Sequence, residues 1–240
     1  TFLYYRERIL RNSIDYRWDG EVHEAIVPRG KVIHAEASVT HKKMQPGDPK
    51  RNLSILEKKY RSGANMPPRQ HFYYGQELYF NSEYEEAVSV LEGFLKMKDG
   101  WSENQLDACK LLSFCYDRTG RADMALRSLL RSLELEPPRG ELCCELGYYF
   151  FNRSAYRQAI FWYELALSRP CDAKSGGFVH ADCYGYIPNL QLAVCYDRLG
   201  QWEKTNEYNE SASEYKPDSE QVKKNRIYFQ NKIDRIKRRE

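Results

Sequence analysis

The chain has 240 residues, of which 42% are hydrophobic and 30% are charged. It is long enough to bury a core, and this balance is typical of a globular protein. No run of residues approaches the roughly 18–20 apolar residues that a membrane-spanning helix needs. The net charge of +3 is too small to indicate nucleic-acid binding by itself.

Seven cysteines are scattered through the chain, and none of them forms a C-x-x-C pair. Most fall on apolar positions of predicted helices, where a free cysteine behaves as a small hydrophobic residue. This usage favours a reducing compartment over a framework of disulfides. We therefore predict a cytoplasmic protein with free thiols.

Short apolar and β-branched runs fill the first forty residues, at 8–10, 16–18, 21–27 and 32–40. Turn residues such as Asp19-Gly20 and Pro28-Arg29-Gly30 separate them. Alternating runs bounded by turn signals predict strands in a small antiparallel sheet. A helix is predicted to follow, from Asp48 to Tyr60.

A motif in this region resembles a known family. The residues Trp18-Asp19-Gly20-Glu21-Val22-His23-Glu24 form a Trp-x-Gly-x-Val-His-Glu pattern, and Val39-Thr40-His41-Lys42 follows it. Both are similar to the end of a family 2 glycosyltransferase catalytic domain, which in certain bacterial members is followed directly by tetratricopeptide repeats. The resemblance implies that residues 1–60 are the C-terminal, β-containing remnant of an α/β domain that binds a nucleotide sugar.

The same resemblance implies roles for individual residues in the intact parent enzyme. Glu24 would be the general base beside the acceptor, and His23 would orient the acceptor or contact the sugar phosphate. His41 would contact the metal or the diphosphate, and a divalent ion (Mn²⁺ or Mg²⁺) and a nucleotide sugar would be required. Without the resemblance, a His-Glu pair is more often an exposed turn, and Trp18 is more often a core residue.

The 240 residues lack a D-x-D motif, which in such enzymes holds the metal that neutralises the leaving diphosphate. The chain itself is therefore predicted to be inactive and to hold no cofactor, although the parent protein is predicted to be a glycosyltransferase.

Four units with a common outline follow. Cys115–Gly120 (CYDRTG) returns as Cys195–Gly200 (CYDRLG), and small residues in the first helix of each unit lie 38, 34 and 46 residues apart. The middle spacing is the period of tetratricopeptide repeats, and the other two equal that period plus insertions of 4 and 12 residues, expected in loops. Residues 61–217 thus predict a mainly α solenoid, a right-handed superhelix of helix hairpins. The small residues are Gly75, Ser113, Gly147 and Ala193, and they are paired with Ala87, Ala125, Ala159 and Thr205 of the second helices.

In repeats of this kind one face of each first helix lines the concave surface, and we predict a peptide-binding groove there. Aromatic rings interleaved with charges suit a peptide, because rings give contact area and charges fix the register. The alternative is that the Asp-Arg pairs simply bind neighbouring helices. The predicted groove residues are Arg69, Phe72, Gln76, Tyr79, Lys110, Phe114, Asp117, Arg118, Tyr148, Phe151, Asn152, Leu190, Val194, Asp197 and Arg198.

Residues 218–240 predict a basic capping helix with Asp218 as its N-cap. We interpret its cations as solvated residues near a helix C-terminus, and a contact with nucleic acid or an anionic membrane is the less favoured alternative.

Two functions follow from these patterns. The first is a C-terminal part of a nucleotide-sugar-dependent glycosyltransferase whose repeats bind the acceptor, which could be a protein, or mediate oligomerisation such as a homodimer. The alternative is a stand-alone module for protein–protein interaction. Nucleic acid is not an expected partner.

Overall fold

The structure is a computed structural model that describes residues 9–12, 14–33, 48, 50–172 and 179–237. Most of the described residues are helical, and none of the described helices is long and apolar enough to cross a membrane. The α-helices are α1 (Arg51–Arg61), α2 (Pro68–Phe80), α3 (Tyr84–Phe94), α4 (Ser102–Arg118), α5 (Ala122–Arg131), α6 (Gly140–Phe151), α7 (Tyr156–Leu167), α8 (Tyr186–Arg198), α9 (Trp202–Tyr215) and α10 (Glu220–Lys237).

The helices fall into two compact units, one within Tyr5–Leu135 and the other within Glu136–Glu240. Each unit contains two helix hairpins, α2–α3 and α4–α5 in the first and α6–α7 and α8–α9 in the second. In the first unit α1 packs against α2, and in the second α10 packs against α9. The four predicted repeats therefore correspond to four observed hairpins.

Small residues allow the two helices of a hairpin to approach closely, as predicted. A Cβ atom on Gly75 would lie 2.5 Å from Leu91 Cδ2, and one on Gly147 would lie 2.6 Å from Tyr163 Cε1. No real Cβ tolerates such contacts, so a larger residue would push the helices apart. The paired small residues Ala87, Ala125, Ala159 and Thr205 are all fully buried.

The turn inside every hairpin has the same geometry. In each turn one residue has a positive, left-handed φ and lies seven positions after the small residue of the first helix. In the four hairpins this residue is Ser82, Gly120, Ser154 and Gly200, respectively. The amide of the next residue donates to a carbonyl five positions earlier, for example from Glu83 to Leu78 at 2.9 Å. This is the Schellman arrangement that satisfies the last carbonyls of a helix.

The four-residue insertion lies in a helix rather than in a loop, which corrects the expectation from sequence. Helix α4 begins 11 residues before Ser113, whereas α2, α6 and α8 begin seven residues before their small residues. Four residues are about one helical turn, so the insertion lengthens α4 and leaves its packing face unchanged. The larger insertion does lie in a connection, between α7 and α8.

A tyrosine–glutamate hydrogen bond connects consecutive hairpins within each unit. The Tyr116 hydroxyl of α4 donates to Glu92 of α3 at 3.1 Å, and the Tyr196 hydroxyl of α8 donates to Glu164 of α7 at 2.9 Å. The two tyrosines occupy equivalent positions, three residues after the small residue. Each unit therefore uses the same polar contact to stack its second hairpin on its first.

The predicted strands at 8–10, 16–18 and 21–27 are wrong for the residues that the structure describes. The only pairing there is an isolated antiparallel bridge between Asp19 and Ala25. His23 adopts a φ of 54° and Gly20 a φ of 104°, and these left-handed values turn the chain where a strand would continue straight. The run 32–40 lies mostly outside the described residues.

The capping helix is present, with Ser219 rather than Asp218 as its N-cap: the Val222 amide donates to Ser219 Oγ at 3.3 Å. Val222 and Phe229 are buried, so this helix covers apolar surface at the end of the last hairpin.

Candidate functional site

The first helices of the first unit, α2 and α4, contact each other, and aromatic side chains lie on the surface that they share. Tyr79 and Phe114 are half-buried, with ring centroids 6.2 Å apart and planes inclined by 36°. Gln76, three residues before Tyr79 on α2, is also half-buried. Two predicted groove residues, Tyr79 and Phe114, therefore come together, and we call this pair of rings the aromatic surface.

Charged residues border the aromatic surface. Lys110 binds Asp107 at 2.6 Å, one helical turn earlier on α4. The Arg118 guanidinium lies 5.8 Å from the ring centroid of Tyr84, and Asp117 is exposed. The hydrogen bond with Ser82, and then the nearby Arg118, lower the pKa of Tyr84. The predicted mixture of rings and charges is therefore present on this face.

In the second unit the corresponding helices are α6 and α8, which also contact each other. Tyr148 is 49% exposed, Phe151 and Val194 are half-buried, and Asn152 and Arg198 are exposed. All five side chains are therefore accessible to some degree, as a binding surface requires.

Two predicted groove residues do not line an open surface. Phe72 is 2% exposed and packs 5.6 Å from Phe94 of α3, ring centroid to ring centroid, so it is a core residue. Asp197 is 3% exposed, and the Lys232 ammonium of α10 lies 2.9 and 3.1 Å from its two carboxylate oxygens. The alternative raised for the Asp-Arg pairs thus holds for Asp197, since a buried carboxylate needs a partner.

The side chain of His23 points to the first hairpin. Its Nε2 lies 3.2 Å from Glu77 Oε1, and its ring stacks on Tyr73 with centroids 4.2 Å apart and planes inclined by 22°. Asn52 of α1 also donates to Glu77 Oε1, at 3.1 Å. Arg69 donates to the backbone carbonyl of His23 at 2.9 Å.

The other residues of the motif are more open to solvent. Glu24 is exposed and Trp18 is 64% exposed, and His41 lies outside the described residues. Among the residues that the structure describes, no group of three His, Cys, Asp or Glu side chains could hold a metal ion. The roles of Glu24 and His23 in catalysis stay predictions.

Comparisons with known proteins place the fold. No family model and no curated protein sequence matches the chain. Among solved structures, MamA of strain AMB-1 has a TM-score of 0.51 at 18% identity, over 70% of this chain and 83% of that one. YrrB, described as a TPR protein with an unusual peptide-binding site, has a TM-score of 0.51 at 20% identity, over 72% and 81%. PilF of Pseudomonas aeruginosa has a TM-score of 0.52 at 15% identity, over 75% and 82%.

The chain has a tetratricopeptide-type fold. This confirms the predicted repeats, since the neighbours are tetratricopeptide proteins. Neither the comparisons nor the described residues support a glycosyltransferase domain or its β-containing remnant.

One buried residue of the first hairpin, Glu77, was not identified from sequence. Glu77 contacts the motif, but a single carboxylate on a helix is usually solvated. The sequence pattern therefore did not predict that Glu77 has a partner. A signal was nevertheless available. The equivalent positions in the second and fourth repeats are Cys115 and Cys195, both buried, so a carboxylate at a buried repeat position required a partner.

Proposed function

We propose that this chain is a protein–protein interaction module whose tetratricopeptide hairpins bind a peptide or an extended segment of a partner. The observation that carries the proposal is the aromatic surface, where the rings of Tyr79 and Phe114 from two neighbouring repeats meet at 6.2 Å. Large rings that are partly exposed give contact area at a low cost in side-chain entropy.

Two further features support the same function. Phe80, next to the aromatic surface in sequence, is 65% exposed, and Tyr148 on the corresponding helix of the second unit is 49% exposed. YrrB, which shares the fold, is described as having a peptide-binding site. Exposed rings on first helices are what a bound peptide would cover.

The proposal is tested by selecting binders from a phage-displayed peptide library against the full chain and measuring their affinities as free peptides. We expect Phe114→Ala or Tyr79→Ala to weaken binding by roughly 1–2 kcal/mol, which is about five- to thirtyfold. A matched control is Phe161→Ala, because Phe161 is 59% exposed but lies on the second helix α7. Unchanged affinity in both test variants, with helicity preserved, would leave the repeats as a packing or oligomerisation device.

A second candidate function rests on the Trp-x-Gly-x-Val-His-Glu motif. We propose that the chain forms the C-terminal part of a family 2 glycosyltransferase that uses a nucleotide sugar and a divalent metal, and that its repeats position the acceptor. The supporting observation is that the motif at residues 18–24 resembles the end of that catalytic domain. Glu24 is exposed, as a general base beside an acceptor would need to be.

The purified 240-residue chain is expected to show no transfer from any nucleotide sugar, because it lacks a D-x-D motif. In a full-length enzyme, Glu24→Gln should reduce turnover by about a hundredfold if Glu24 is the base. A reduction below about threefold would remove Glu24 from that role.

A further inference from the structure

We propose that helices α1 and α2 carry a binding site for a histidine side chain, and that its ligand is His23 of the same chain. The site consists of Asn52, Arg69, Tyr73 and Glu77. Neither the repeat pattern nor the motif assigns this role to these residues.

Each part of the imidazole has a matching partner. The ring face lies on Tyr73, with centroids 4.2 Å apart, and the Nε2 edge meets Glu77 Oε1 at 3.2 Å. An imidazole suits both contacts, because it has a flat face that can stack and a ring nitrogen at its edge that can hydrogen-bond to a carboxylate. An aliphatic side chain lacks the polar edge, and a lysine lacks the flat face.

The backbone around His23 is held as well. Arg69 donates to the His23 carbonyl at 2.9 Å, and the neighbouring side chain of Val22 is 5% exposed. The amides of Asp19 and Ala25 each donate to the other's carbonyl, at 2.9 and 3.0 Å, and close the loop. The site thus binds residues 19–25 as a closed loop that has a defined backbone conformation, with His23 near its centre.

The backbone of the loop is unusual at His23. This residue has a φ of 54°, a left-handed conformation that is uncommon for residues other than glycine, although histidine adopts it more often than most. Relaxing this backbone would move the ring off Tyr73 and Glu77. The contacts to the hairpin therefore stabilise the loop against its own local preference.

Glu77 is fitted to this ligand rather than to solvent. Its side chain is 10% exposed, and it accepts from both His23 and Asn52. A carboxylate this far removed from water is costly unless hydrogen bonds replace those to water. Removing His23 would leave this carboxylate with one donor fewer.

The experiment is native-state hydrogen exchange of the full chain, with the amides of Asp19 and Ala25 as reporters, because both depend on loop closure. His23→Ala and Glu77→Gln should each accelerate their exchange about tenfold or more, as expected for the loss of a hydrogen bond to a charged group. The double variant should be little faster than either single variant, because both remove the same contact. His23→Gln, which keeps a donor without the stacked ring, should lie between His23→Ala and the native chain.

Val27→Ala is the matched control, since Val27 follows the loop and is 69% exposed; it should leave both amides unchanged. Helix amides of α4 report whether Glu77→Gln has disturbed the fold, and they should keep their native rates. As a second readout, the ring protons of His23 should move downfield in Tyr73→Leu as the stacked ring is lost. Native exchange at Asp19 and Ala25 in His23→Ala, or independent effects of the two substitutions in the double variant, would overturn the proposal.

Discussion

Two serines occupy turn positions at which glycine is the better residue. Ser82 and Ser154 have φ values of 66° and 57°, while the equivalent residues of the other hairpins, Gly120 and Gly200, have 78° and 71°. A side chain with a Cβ is disfavoured in this left-handed region, whereas glycine populates it freely. The first hairpin of each unit therefore carries a small local strain.

We predict that Ser154→Gly raises the free energy of unfolding by up to about 1 kcal/mol, because relief of strain exceeds the entropy that glycine adds to the unfolded chain. The reverse change, Gly120→Ala, should lower it by about 1 kcal/mol. A Cβ at Gly120 would meet nothing within 4 Å, so this cost is purely conformational. Urea unfolding measures both, and a destabilised Ser154→Gly would show that the hydrogen bond from Tyr156 to Ser154 outweighs the strain.

The thiols differ sharply in accessibility. Cys171 is exposed and the other six cysteines are buried, all of them free. Burial raises the pKa of Cys109 and Cys143 to about 11 and that of Cys195 to about 12. Because the thiolate is the reactive form, these buried groups are doubly protected at neutral pH.

We therefore predict that a disulfide reagent such as DTNB at pH 8 modifies one thiol rapidly in the folded chain and all seven in denaturant. Cys171→Ser should abolish the fast phase, and Cys109→Ser should leave it unchanged. More than one fast thiol in the folded chain would contradict the burial described above.

At the scale of elements, the contact between α2 and the loop 19–25 should depend on pH. The hydrogen bond with His23, followed by that from Asn52, lowers the pKa of Glu77 against the opposing effect of burial. A carboxyl with a lowered pKa contributes stability above its ordinary value of 4.5, and this contribution is lost as the pH falls through the lower folded value. Docking of the loop should therefore weaken in acid.

The measurement is the NMR shift of the buried Val22 methyl groups as the pH is lowered from 6 to 3. We expect the shift to move toward an exposed value below pH 4.5 and to lose this acid step in Glu77→Gln. An acid step of the same size in Glu77→Gln would assign it to another carboxyl group.

The tyrosine–glutamate contacts should contribute to the stacking of hairpins within each unit. Burial, and then the neighbouring Glu92, raise the pKa of Tyr116 to about 12, as expected for a hydroxyl that donates to a carboxylate. We predict that Tyr116→Phe and Tyr196→Phe each lower the free energy of unfolding by about 1–2 kcal/mol. Tyr215→Phe is the control, because Tyr215 is 58% exposed and surface changes cost less than about 0.5 kcal/mol. Equal effects of all three substitutions in urea unfolding would show that the contacts add nothing.

At the scale of the molecule, each unit repeats the same order of two different hairpins. The first hairpin has a left-handed serine that accepts from a tyrosine two residues later, Tyr84 to Ser82 and Tyr156 to Ser154, both at 3.3 Å. The second hairpin has glycine at the turn, within C-Y-D-R-x-G. The repeating element of this chain is thus a pair of hairpins rather than a single one.

The repeats could be predicted from sequence because their determinants are local. Small residues, turn residues and apolar spacing all lie within about forty residues of each other, and Gly75 and Gly147 proved to be where the helices touch. The aromatic surface could also be predicted in part, since Tyr79 and Phe114 follow from their helix faces. The burial of Phe72 and of Asp197 could not be predicted in the same way. Phe72 is buried against Phe94 of the next helix, and Asp197 is paired with Lys232 of the distant helix α10.

The helix predicted from Asp48 to Tyr60 is observed as α1 (Arg51–Arg61), whereas the strand predictions before it failed for a physical reason. Alternation of apolar residues shows that a segment suits a strand, but a strand forms only when another strand pairs with it. Between residues 14 and 33 the bridge from Asp19 to Ala25 supplies the only pairing. The segment is held instead by the His23 side chain, which contacts Glu77 of α2. A contact between residues 54 positions apart leaves no periodic trace in the sequence.

The extra turn at the start of α4 bears on how the gene can change length. Adding four codons at the beginning of a helix rotates the new residues by about one full turn, so every downstream side chain keeps its neighbours. Insertions of two codons at the same place would shift any newly formed turn by about half a revolution and present the wrong face to the adjoining helices. Viable length variants of this protein should therefore cluster at helix starts in steps of three or four residues, and at the α7–α8 connection in steps of any size.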